Sequence, residues 1–338
     1  MNDKTGNQPL QNIGVIGAGA WGTALAIAAR RAGADVVLQA HEPEVARAIE
    51  ESRENAQYLP GVAIDDGIRA TAQLSEAVDS DAVLLVAPAQ FLRAVCEAAK
   101  PYWKPGVPAI ICAKGIEQGS YKLMSDVVQE TLGPDAPIAI LSGPTFAIEV
   151  ARELPTAVTL ACADENLGRR LCQSLSSRCF RPYFATDVIG AQLGGAIKNV
   201  LAIACGIVEG RKMGDNARAA LITRGIAELA RLGEVMGAEP HTLMGLSGLG
   251  DLTLTCNAMQ SRNFSLGVQL GEGRTLEDIL AERKAVTEGV FTAQAAAELA
   301  HREQVDMPIC LAVDGVLNHG VDLDAIISGL LSRPLNTE

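Results

Sequence analysis

A glycine pattern close to the N-terminus constrains the fold more than any other feature of the sequence. Residues 13–16 form a short apolar run of strand formers, followed by G-x-G-x-x-G over residues 17–22 and by a helix-forming run over residues 23–29. A strand, a tight glycine turn and a helix start in this order are typical of a dinucleotide-binding site. The backbone N–H groups at the helix start would bind the phosphates. We therefore predict that the chain begins with a βα unit that binds a dinucleotide.

Each glycine of this pattern has its own expected role. Gly17 permits the sharp turn, Gly19 lets the backbone approach a pyrophosphate, and Gly22 lets the helix pack close to the strand. A second strand over residues 34–40 ends at His41 and Glu42. At this point an acidic residue would bind the adenosine ribose of NAD, whereas a basic residue would bind the extra phosphate of NADP. Because a titratable histidine is followed here by a carboxylate, both NADH and NADPH stay open as the cofactor.

Further apolar runs predict the rest of the fold. Strand-like runs occupy residues 81–88, 108–113, 137–142, 155–161 and 180–184. Continuous apolar runs that are separated by helical stretches are typical of a parallel sheet covered on both faces. From Asp187 onward the strand signals vanish and a helical period takes over. We predict an α/β fold class, with an N-terminal Rossmann-type, doubly wound, mostly parallel sheet over residues 1–187 and an all-α C-terminal domain over residues 188–338.

Composition narrows the classes of partner. The 338 residues carry a net charge of −12, which argues against nucleic acid and against an anionic membrane surface. The eight cysteines include no C-x-x-C pair and the four histidines lack ligand spacing, so we predict reduced thiols and no metal site. Residues 1–11 are polar, without the apolar core of a signal peptide, and no apolar run approaches the ~20 residues of a membrane span. We expect a cytoplasmic protein that acts on a small molecule.

Two polar sites follow predicted strands and are candidates for substrate contacts. Lys114 comes directly after one apolar run, and Gly143 and Thr145 belong to a glycine-proline turn at the end of another. In parallel sheets of this kind, ligands bind beyond the carboxyl ends of the strands. We therefore expect Lys114, Gly143 and Thr145 to lie at the ligand-binding edge of the sheet.

Two further polar sites lie in the helical part of the sequence. Lys198 follows a glycine pair within a nearly apolar helix, and such glycines are expected where another backbone or a ligand lies close. Burial of a lysine favours its neutral amine, which suits the residue to exchange a proton. Asp251 lies in a glycine-rich apolar stretch, where an isolated carboxylate would be unfavourable, so we expect it to pair with a cation. Arg262 and Asn263 suit a phosphate, through a fork of charged donors and an amide donor.

Together these motifs resemble those of the NAD(P)-dependent glycerol-3-phosphate dehydrogenases, which interconvert dihydroxyacetone phosphate and sn-glycerol 3-phosphate. The stretches that match, in family order over nearly the whole chain, are GAGAWGTALA, KGIE, SGPTFAIEV, GGAIKNVLAIACGI, NARAALITRG, GLSGLGDLTLTC, SRNF and TEGV. The family's lysine base falls on Lys198 and its second active-site lysine on Lys114. We expect Lys198 to donate the proton to the developing alkoxide, Lys114 to add positive charge at the same oxygen, and Asp251 to orient Lys198.

The resemblance also implies the binding residues. The family's substrate ligands fall on Lys114, Gly143, Thr145, Lys198, Asp251, Ser261, Arg262 and Asn263. With the glycine turn included, cofactor contacts are expected at Gly17, Gly19, Ala20, Trp21, Gly22, His41, Lys114, Ala147, Arg262, Val286 and Glu288. Ala20 replaces a serine that is usual in the family, and Gln39 replaces a common tryptophan, so one pyrophosphate contact and the framing of the adenine are affected. The family further implies a homodimer and a role in supplying glycerol phosphate for phospholipids.

Two alternatives remain open at this point. A β-hydroxyacid dehydrogenase of the 6-phosphogluconate or hydroxyisobutyrate type also carries a G-x-x-x-K lysine, and the spacing from Gly194 to Lys198 fits it. The stretches GLSGLGDLTLTC and SRNF favour the glycerol-phosphate interpretation. A nucleotide-binding sensor without catalysis would keep the glycine turn, but it would not need Lys198, Lys114, Asp251 and Arg262 together.

Overall fold

The structure is a computed structural model that describes residues 9–283 and 286–334. The chain divides into two compact units. The first unit runs up to Lys114 and resumes over Leu123–Gln192, and the second consists of Gly115–Lys122 and the chain from Leu193 onward. The prediction of no signal peptide depends on residues 1–11. Residues 1–8 of this stretch lie outside the described part of the chain.

The first unit is built on a mostly parallel sheet. The strands are β1 (Asn12–Ile16), β2 (Asp35–Gln39), β3 (Glu54–Asn55), β4 (Leu59–Ala63), β5 (Ile68–Thr71), β6 (Ala82–Leu85), β7 (Ala109–Ile111), β8 (Ile138–Ser142), β9 (Thr156–Cys162) and β10 (Phe180–Ala185). In the described part of the chain, eight of them form one sheet in the order β10-β9-β8-β7-β6-β1-β2-β5. Neighbouring strands run parallel except β8 and β9, which are antiparallel.

The apolar runs explain why these segments are strands. All four residues of β6 and all three of β7 are buried, as expected for strands covered on both faces. Leu59 begins β4, which pairs with β3 in a separate two-stranded antiparallel sheet. Pro60 and Gly61 are exposed there, and proline is tolerated in an edge strand, where its missing N–H is not needed for pairing.

Helices of the first unit connect the strands. They are α1 (Ala20–Arg31), α2 (Pro43–Ser52), α3 (Leu74–Val78), α4 (Leu92–Ala99), α5 (Met124–Leu132), α6 (Ala147–Ala151) and α7 (Glu165–Leu175). Helix α1 follows β1 through the glycine turn and is buried continuously over residues 22–29. Strand β2 then returns parallel to β1, with Ile16 opposite Gln39. This βαβ order confirms the predicted Rossmann-type unit.

The second unit is helical over its described residues. Its helices are α8 (Val188–Gly210), α9 (Asp215–Met236), α10 (Pro240–Leu243), α11 (Asp251–Thr255), α12 (Arg262–Gly271), α13 (Leu276–Ala281), α14 (Glu288–Arg302), α15 (Pro308–Asn318) and α16 (Leu323–Leu331). The predicted all-α class of this part is confirmed. The division between the units falls inside α8, after Gln192, whereas the domain boundary between residues 187 and 188 stays a prediction.

Helix α8 is long and apolar enough, by length and composition, to cross a membrane. It is the one such helix in the described ranges, and Gln192, Lys198 and Asn199 interrupt its apolar sequence. However, 89% of its apolar window is buried inside the fold. A helix that is hydrophobic on all sides is expected where protein surrounds it, so α8 has the composition of a core helix.

Glycines bring α8 and α12 into direct backbone contact. A Cβ at Gly206 of α8 would lie 2.1 Å from the carbonyl oxygen of Phe264, and one at Gly267 of α12 would lie 2.0 Å from that of Ile203. No side chain fits at either position, so the two helices pack more closely than other residue types permit. This contact fixes the first half of α12 against the part of α8 that follows Lys198.

A buried carboxyl group joins α9 to the start of α15. Glu228 is 1% exposed, and it accepts hydrogen bonds from the backbone N–H groups of Ile309 at 2.7 Å and Cys310 at 3.2 Å. Burial raises the pKa of Glu228 from 4.5 to about 7. The folded protein therefore binds this proton more tightly than the unfolded chain does. The resulting stabilisation is complete below pH 4.5 and is lost as the pH rises through about 7.

We expect Glu228→Gln to flatten the pH dependence of stability. A pKa difference of this size corresponds to roughly 3 kcal/mol in the free energy of unfolding, which wild type loses between about pH 4.5 and about pH 7.5. The glutamine variant cannot ionise and should lack this loss. Urea denaturation followed by circular dichroism at a series of pH values measures the difference.

The matched control is Glu234→Gln, which removes an exposed carboxylate from the same helix. It should keep the wild-type dependence on pH. An equal slope of unfolding free energy against pH in wild type and Glu228→Gln would contradict the assignment.

Candidate functional site

The glycine turn of the first unit has the geometry that its sequence predicts. Gly17 has a φ of +109°, a conformation that side chains rarely adopt, and its N–H donates to the carbonyl of Gln39 at 3.0 Å. A Cβ at Gly22 would lie 1.8 Å from the carbonyl oxygen of Gly17, so the first turn of α1 packs directly on the glycine turn. Gly19 precedes α1, and nothing lies within 4 Å of where its Cβ would be. The backbone at Gly19 is therefore open to a ligand.

The start of α1 fits the pyrophosphate of a dinucleotide. The first N–H groups of a helix lack intrahelical partners, and the first turn of α1, which begins at Ala20, contains no acidic residue that would oppose an anion. The indole Nε1 of Trp21 is buried and has no hydrogen-bond partner among the described residues, so it can donate to a bound ligand. Replacement of the family's serine by Ala20 leaves these backbone donors in place.

The carboxyl end of β2 carries the predicted ribose-binding residues. His41 is exposed, and Glu42 immediately precedes α2. The hydroxyl of Tyr58 donates to Oε1 of Glu42 at 2.9 Å, and this hydrogen bond raises the pKa of Tyr58. The Gln39 side chain is buried and donates to the carbonyl of Ala40 at 2.8 Å, which ties it to the backbone at the end of the strand.

The structure brings together the three candidate substrate residues of the first unit. Lys114 lies just beyond β7 and donates from Nζ to the carbonyl of Gly143 at 3.0 Å, and the hydroxyl of Thr145 donates to the same carbonyl at 3.2 Å. Gly143 has a φ of +150°, and a Cβ there would lie 2.9 Å from Cα of Val158, so the turn requires glycine. Ala147 begins α6 at the same edge. A cation and a hydroxyl therefore meet at the carboxyl ends of β7 and β8.

The second unit contains a buried ion pair. Nζ of Lys198 lies 2.5 Å from Oδ1 of Asp251, and the residues are 7% and 0% exposed. The predicted pairing of Asp251 with a cation is confirmed. The carboxylate stabilises the charged ammonium, which opposes the effect of burial on the lysine. Lys198 is thus a buried amine whose orientation is set by a fixed acceptor.

Thr255 completes this pair, and sequence analysis did not single it out. Its Oγ1 accepts a hydrogen bond from Lys198 at 3.0 Å and donates to the carbonyl of Asp251 at 2.6 Å. Asp251 and Thr255 are the first and last residues of α11, four positions apart, so they lie on one face of the helix. This spacing was the available sequence signal.

Close packing against another backbone explains why glycine precedes Lys198 in α8. A Cβ at Gly194 would lie 2.4 Å from the carbonyl oxygen of Ser247. Ser247 belongs to a π-helical turn, Leu246–Gly250, that leads directly into Asp251. The expectation that another backbone lies close to this face of α8 is confirmed, and the contact holds Lys198 and Asp251 in register.

The predicted phosphate ligands lie at the start of α12. Ser261 caps the helix, and its Oγ accepts from the backbone N–H of Phe264 at 3.2 Å. Asn263 is buried, donates from Nδ2 to Oδ1 of Asn199 at 2.9 Å, and accepts from the backbone N–H of Gly289 at 3.0 Å. Asn199, which sequence analysis did not single out, therefore positions the Asn263 amide. A helix start with hydroxyl and amide groups is suited to a phosphate.

Arg262 is joined to two of the predicted cofactor contacts. Its Nη1 donates to the carbonyl of Val286 at 2.8 Å, and the charge of Glu288, the first residue of α14, acts on the guanidinium. A guanidinium has five N–H donors, so others are left for an anion. Among the described residues, no group of three or more histidine, cysteine or acidic side chains is placed to hold a metal ion.

Comparison with known proteins places these features in one family. The model for the N-terminus of NAD-dependent glycerol-3-phosphate dehydrogenase matches residues 12–168, and the model for its C-terminus matches residues 187–328. Together the two models include the glycine turn, the β7–β8 edge, the Lys198–Asp251 pair and the start of α12.

Individual proteins are similar over nearly the whole chain. Glycerol-3-phosphate dehydrogenase [NAD(P)+] of Rhodospirillum rubrum is 59% identical over 98% of this chain and 95% of its own length, and that of Caulobacter vibrioides is 58% identical over 97% and 99%. The crystal structure of glycerol-3-phosphate dehydrogenase from Coxiella burnetii matches with a TM-score of 0.91 at 37% identity, over 96% of this chain and 99% of that one. This chain therefore belongs to the NAD-dependent glycerol-3-phosphate dehydrogenase family.

Proposed function

We propose that this chain is an NAD(P)-dependent dehydrogenase that interconverts dihydroxyacetone phosphate and sn-glycerol 3-phosphate. The observation that carries the proposal is the buried Lys198–Asp251 pair, which shares a compact unit with the start of α12, where hydroxyl, amide and guanidinium groups are suited to an anion. Reduction of a ketone requires a proton donor, and a phosphorylated substrate requires an anion site. The relatives that are 58% and 59% identical bear the name of this activity.

Lys198 is the proposed acid and base. Its ammonium hydrogen-bonds the oxygen that develops negative charge at C2 of the ketone and donates the proton; in the reverse direction the neutral amine removes it. Asp251 and Thr255 orient the amine. Lys114 adds positive charge at the same oxygen, which stabilises the transition state electrostatically. The reduced nicotinamide, when bound, supplies the hydride.

Substrate binding depends on the phosphate. We assign the phosphate to Arg262, Asn263 and Ser261 at the start of α12, with help from the hydroxyl of Thr145, and we assign Gly143 a backbone contact to the substrate. When the phosphate is bound, the ketone is held in a defined position and orientation, and part of the binding energy is used for this purpose.

The cofactor contacts are proposed from the glycine turn outward. Gly17, Gly19 and Gly22 shape the turn, and the pyrophosphate binds to the backbone at Ala20 and Trp21. His41 is assigned to the adenosine end. The remaining proposed contacts are Lys114, Ala147, Arg262, Val286 and Glu288.

The β-hydroxyacid dehydrogenase alternative is not supported. Both family models and the curated relatives are glycerol-3-phosphate dehydrogenases over nearly the full chain. A sensor without catalysis is also disfavoured, because the buried Lys198–Asp251 pair has an obvious use in proton transfer and none in binding a dinucleotide.

The proposal extends to the cellular setting. We place the enzyme in the cytoplasm, as a homodimer that supplies glycerol phosphate for phospholipids. The negative net charge argues against attachment to an anionic membrane surface. Helix α16 supports association with a second copy, because its sequence is strongly apolar and none of its residues is buried, with Leu331 76% exposed.

Initial rates with dihydroxyacetone phosphate test the activity directly. Oxidation of NADH or NADPH is followed by the absorbance of the reduced nicotinamide. The same enzyme is assayed in the oxidative direction with sn-glycerol 3-phosphate, 6-phosphogluconate and 3-hydroxyisobutyrate. We expect turnover with dihydroxyacetone phosphate in the reductive direction and with sn-glycerol 3-phosphate in the oxidative direction. Absence of turnover with dihydroxyacetone phosphate and either cofactor would refute it.

We expect Arg262→Ala to raise KM for dihydroxyacetone phosphate about 10- to 100-fold, because charged hydrogen bonds to the phosphate are lost. Arg262→Lys should show an intermediate KM, since it keeps the charge without the fork. Arg302→Ala removes an exposed arginine from α14 and serves as the control, with KM unchanged. A wild-type KM in folded Arg262→Ala would contradict the phosphate assignment.

A further inference from the structure

The carboxylate at the end of β2 is held by a residue from another element. Glu42 precedes α2, but its side chain makes no capping hydrogen bond to that helix. Instead, Oε1 accepts from the hydroxyl of Tyr58 at 2.9 Å. Because a carboxylate oxygen has two lone pairs and Glu42 has two such oxygens, acceptor capacity is left over. The carboxylate is thus oriented without being saturated.

Tyr58 is in turn anchored to the glycine turn. Its backbone N–H donates to Oδ1 of Asn55 at 3.2 Å. Asn55 is 2% exposed, and its Nδ2 donates to the carbonyl of Ala18 and to Oγ1 of Thr23, both at 2.8 Å. Ala18 lies inside the glycine pattern and Thr23 in α1. One hydrogen-bonded chain therefore links the turn that would hold the pyrophosphate to the Glu42 carboxylate.

The position of Glu42 is that of a ribose ligand. In dinucleotide-binding βαβ units, an acidic residue about 20 residues after the glycine pattern accepts from the ribose hydroxyl groups of NAD. Glu42 follows Gly22, the last glycine, by 20 positions (42 − 22). It also lies at the end of the strand that pairs with β1, where Gly17 donates to the carbonyl of Gln39.

Apart from His41, which is exposed and directly precedes Glu42, the charges around Glu42 are unfavourable for an additional phosphate. Glu44, in the first turn of α2, adds a second carboxylate. The guanidinium of Arg53, just beyond the same helix, lies 3.0 Å from a carboxylate oxygen of Glu50 and 3.3 Å from one of Asp66. Arg47, exposed on α2, is the remaining basic side chain of this helix.

We propose that Glu42, positioned by Tyr58, makes this enzyme select NADH over NADPH. The carboxylate accepts hydrogen bonds from the adenosine ribose hydroxyl groups of NADH, and it repels the 2′-phosphate of NADPH. Tyr58 is a positioning residue that acts through Glu42. The inference rests on the proposed function and specifies its cofactor.

The test compares kcat/KM for NADH and for NADPH at saturating dihydroxyacetone phosphate. The kcat/KM of wild type for NADH should exceed that for NADPH by about tenfold or more. Repulsion between the Glu42 carboxylate and a 2′-phosphate at contact range should weaken NADPH binding by at least this factor. Glu42→Gln should raise kcat/KM for NADPH about tenfold and lower that for NADH severalfold. Tyr58→Phe should reduce the NADH preference by a smaller factor, because the carboxylate stays but is no longer oriented. KM for dihydroxyacetone phosphate should not change in either variant.

Glu51→Gln is the control, since it removes an exposed carboxylate from the far end of α2. It should change the cofactor ratio by less than about twofold. Direct titration of both reduced cofactors into the free enzyme, followed by protein fluorescence, measures the same preference without turnover. Lack of dihydroxyacetone phosphate turnover together with tighter NADH binding would refute the proposed function and keep this inference.

Two outcomes would overturn the inference. One is a wild-type preference for NADPH that Arg47→Gln abolishes, because Arg47 would then be the residue that selects the cofactor. The other is a ratio that Glu42→Gln and Glu51→Gln change equally, because the general negative field of α2 would then account for it.

Discussion

Lys198→Met lowers kcat for dihydroxyacetone phosphate reduction by roughly 10²- to 10⁴-fold, the range expected when a general acid is removed. The methionine fills similar space but cannot donate a proton. Binding of the reduced cofactor should stay within about twofold of wild type, because the glycine turn is unaltered. Stopped-flow and steady-state rates, with cofactor titration alongside, measure both quantities.

The variants must distinguish the loss of the proton donor from a loss of folded protein. Methionine at position 198 leaves the Asp251 carboxylate buried without its cation, which costs about 3–5 kcal/mol in stability. The double variant Lys198→Met with Asp251→Asn removes both charges and should recover most of that stability while staying inactive. Lys100→Met, at an exposed lysine of the first unit, is the control for general effects of the substitution. Near-normal turnover in either variant at position 198 would exclude Lys198 as the acid.

Asp251→Asn is the second change with a large expected effect. The amide still accepts a hydrogen bond but no longer stabilises the ammonium of Lys198, so we expect kcat to fall by about 10- to 100-fold. The alkaline limb of the pH–rate profile for ketone reduction should move to lower pH, since the amine loses its proton more readily beside a neutral partner. A purely structural aspartate would lower activity without moving this limb.

The free energy of unfolding tests the role of Asp251 independently of the reaction rates. Asp251→Ala leaves the buried Lys198 without a charge partner, and its free energy of unfolding should fall by about 3–5 kcal/mol. Asp278→Asn, at an acidic residue in the first turn of α13, is the control and should change neither activity nor the pH profile. An unshifted pH profile in a folded, slow Asp251→Asn variant would show that Asp251 acts otherwise than through Lys198.

Local patterns carried most of the fold prediction. The strands β6 and β7 are buried throughout, and such strands appear in a sequence as uninterrupted apolar runs. Strand β5 was not predicted, because four residues with an exposed Arg69 are too few to establish a period. Helix α12 was also missed, although Ser261 directly before it is a good helix cap. Short elements give weak periodic signals whatever their place in the fold.

The sequence predicted individual residues of the candidate site from their chemical types, but it did not predict the neighbouring residues that position them. Lys198 and Asp251 stood out because a charge is unexpected in an apolar or glycine-rich stretch, and Arg262 stood out because a guanidinium beside an amide suits a phosphate. Thr255 and Asn199 did not stand out, since polar residues of their size are common in helices. Their importance follows from contacts with residues 57 and 64 positions away in the chain.

The sequence by itself determined the fold class, the dinucleotide turn and the family, because each depends on spacing along a few tens of residues or on the order of motifs. The tertiary structure alone decided which side chains meet. It paired Lys198 with Asp251, joined Asn263 to Asn199, and placed the Tyr58 hydroxyl on Glu42. These contacts join separate helices and loops, and packing such as that of Gly206 against Phe264 sets their distances. A glycine in a helix indicates that another backbone or a ligand lies close, but it does not specify which one, so most of the partners of the site residues became visible only in the folded chain.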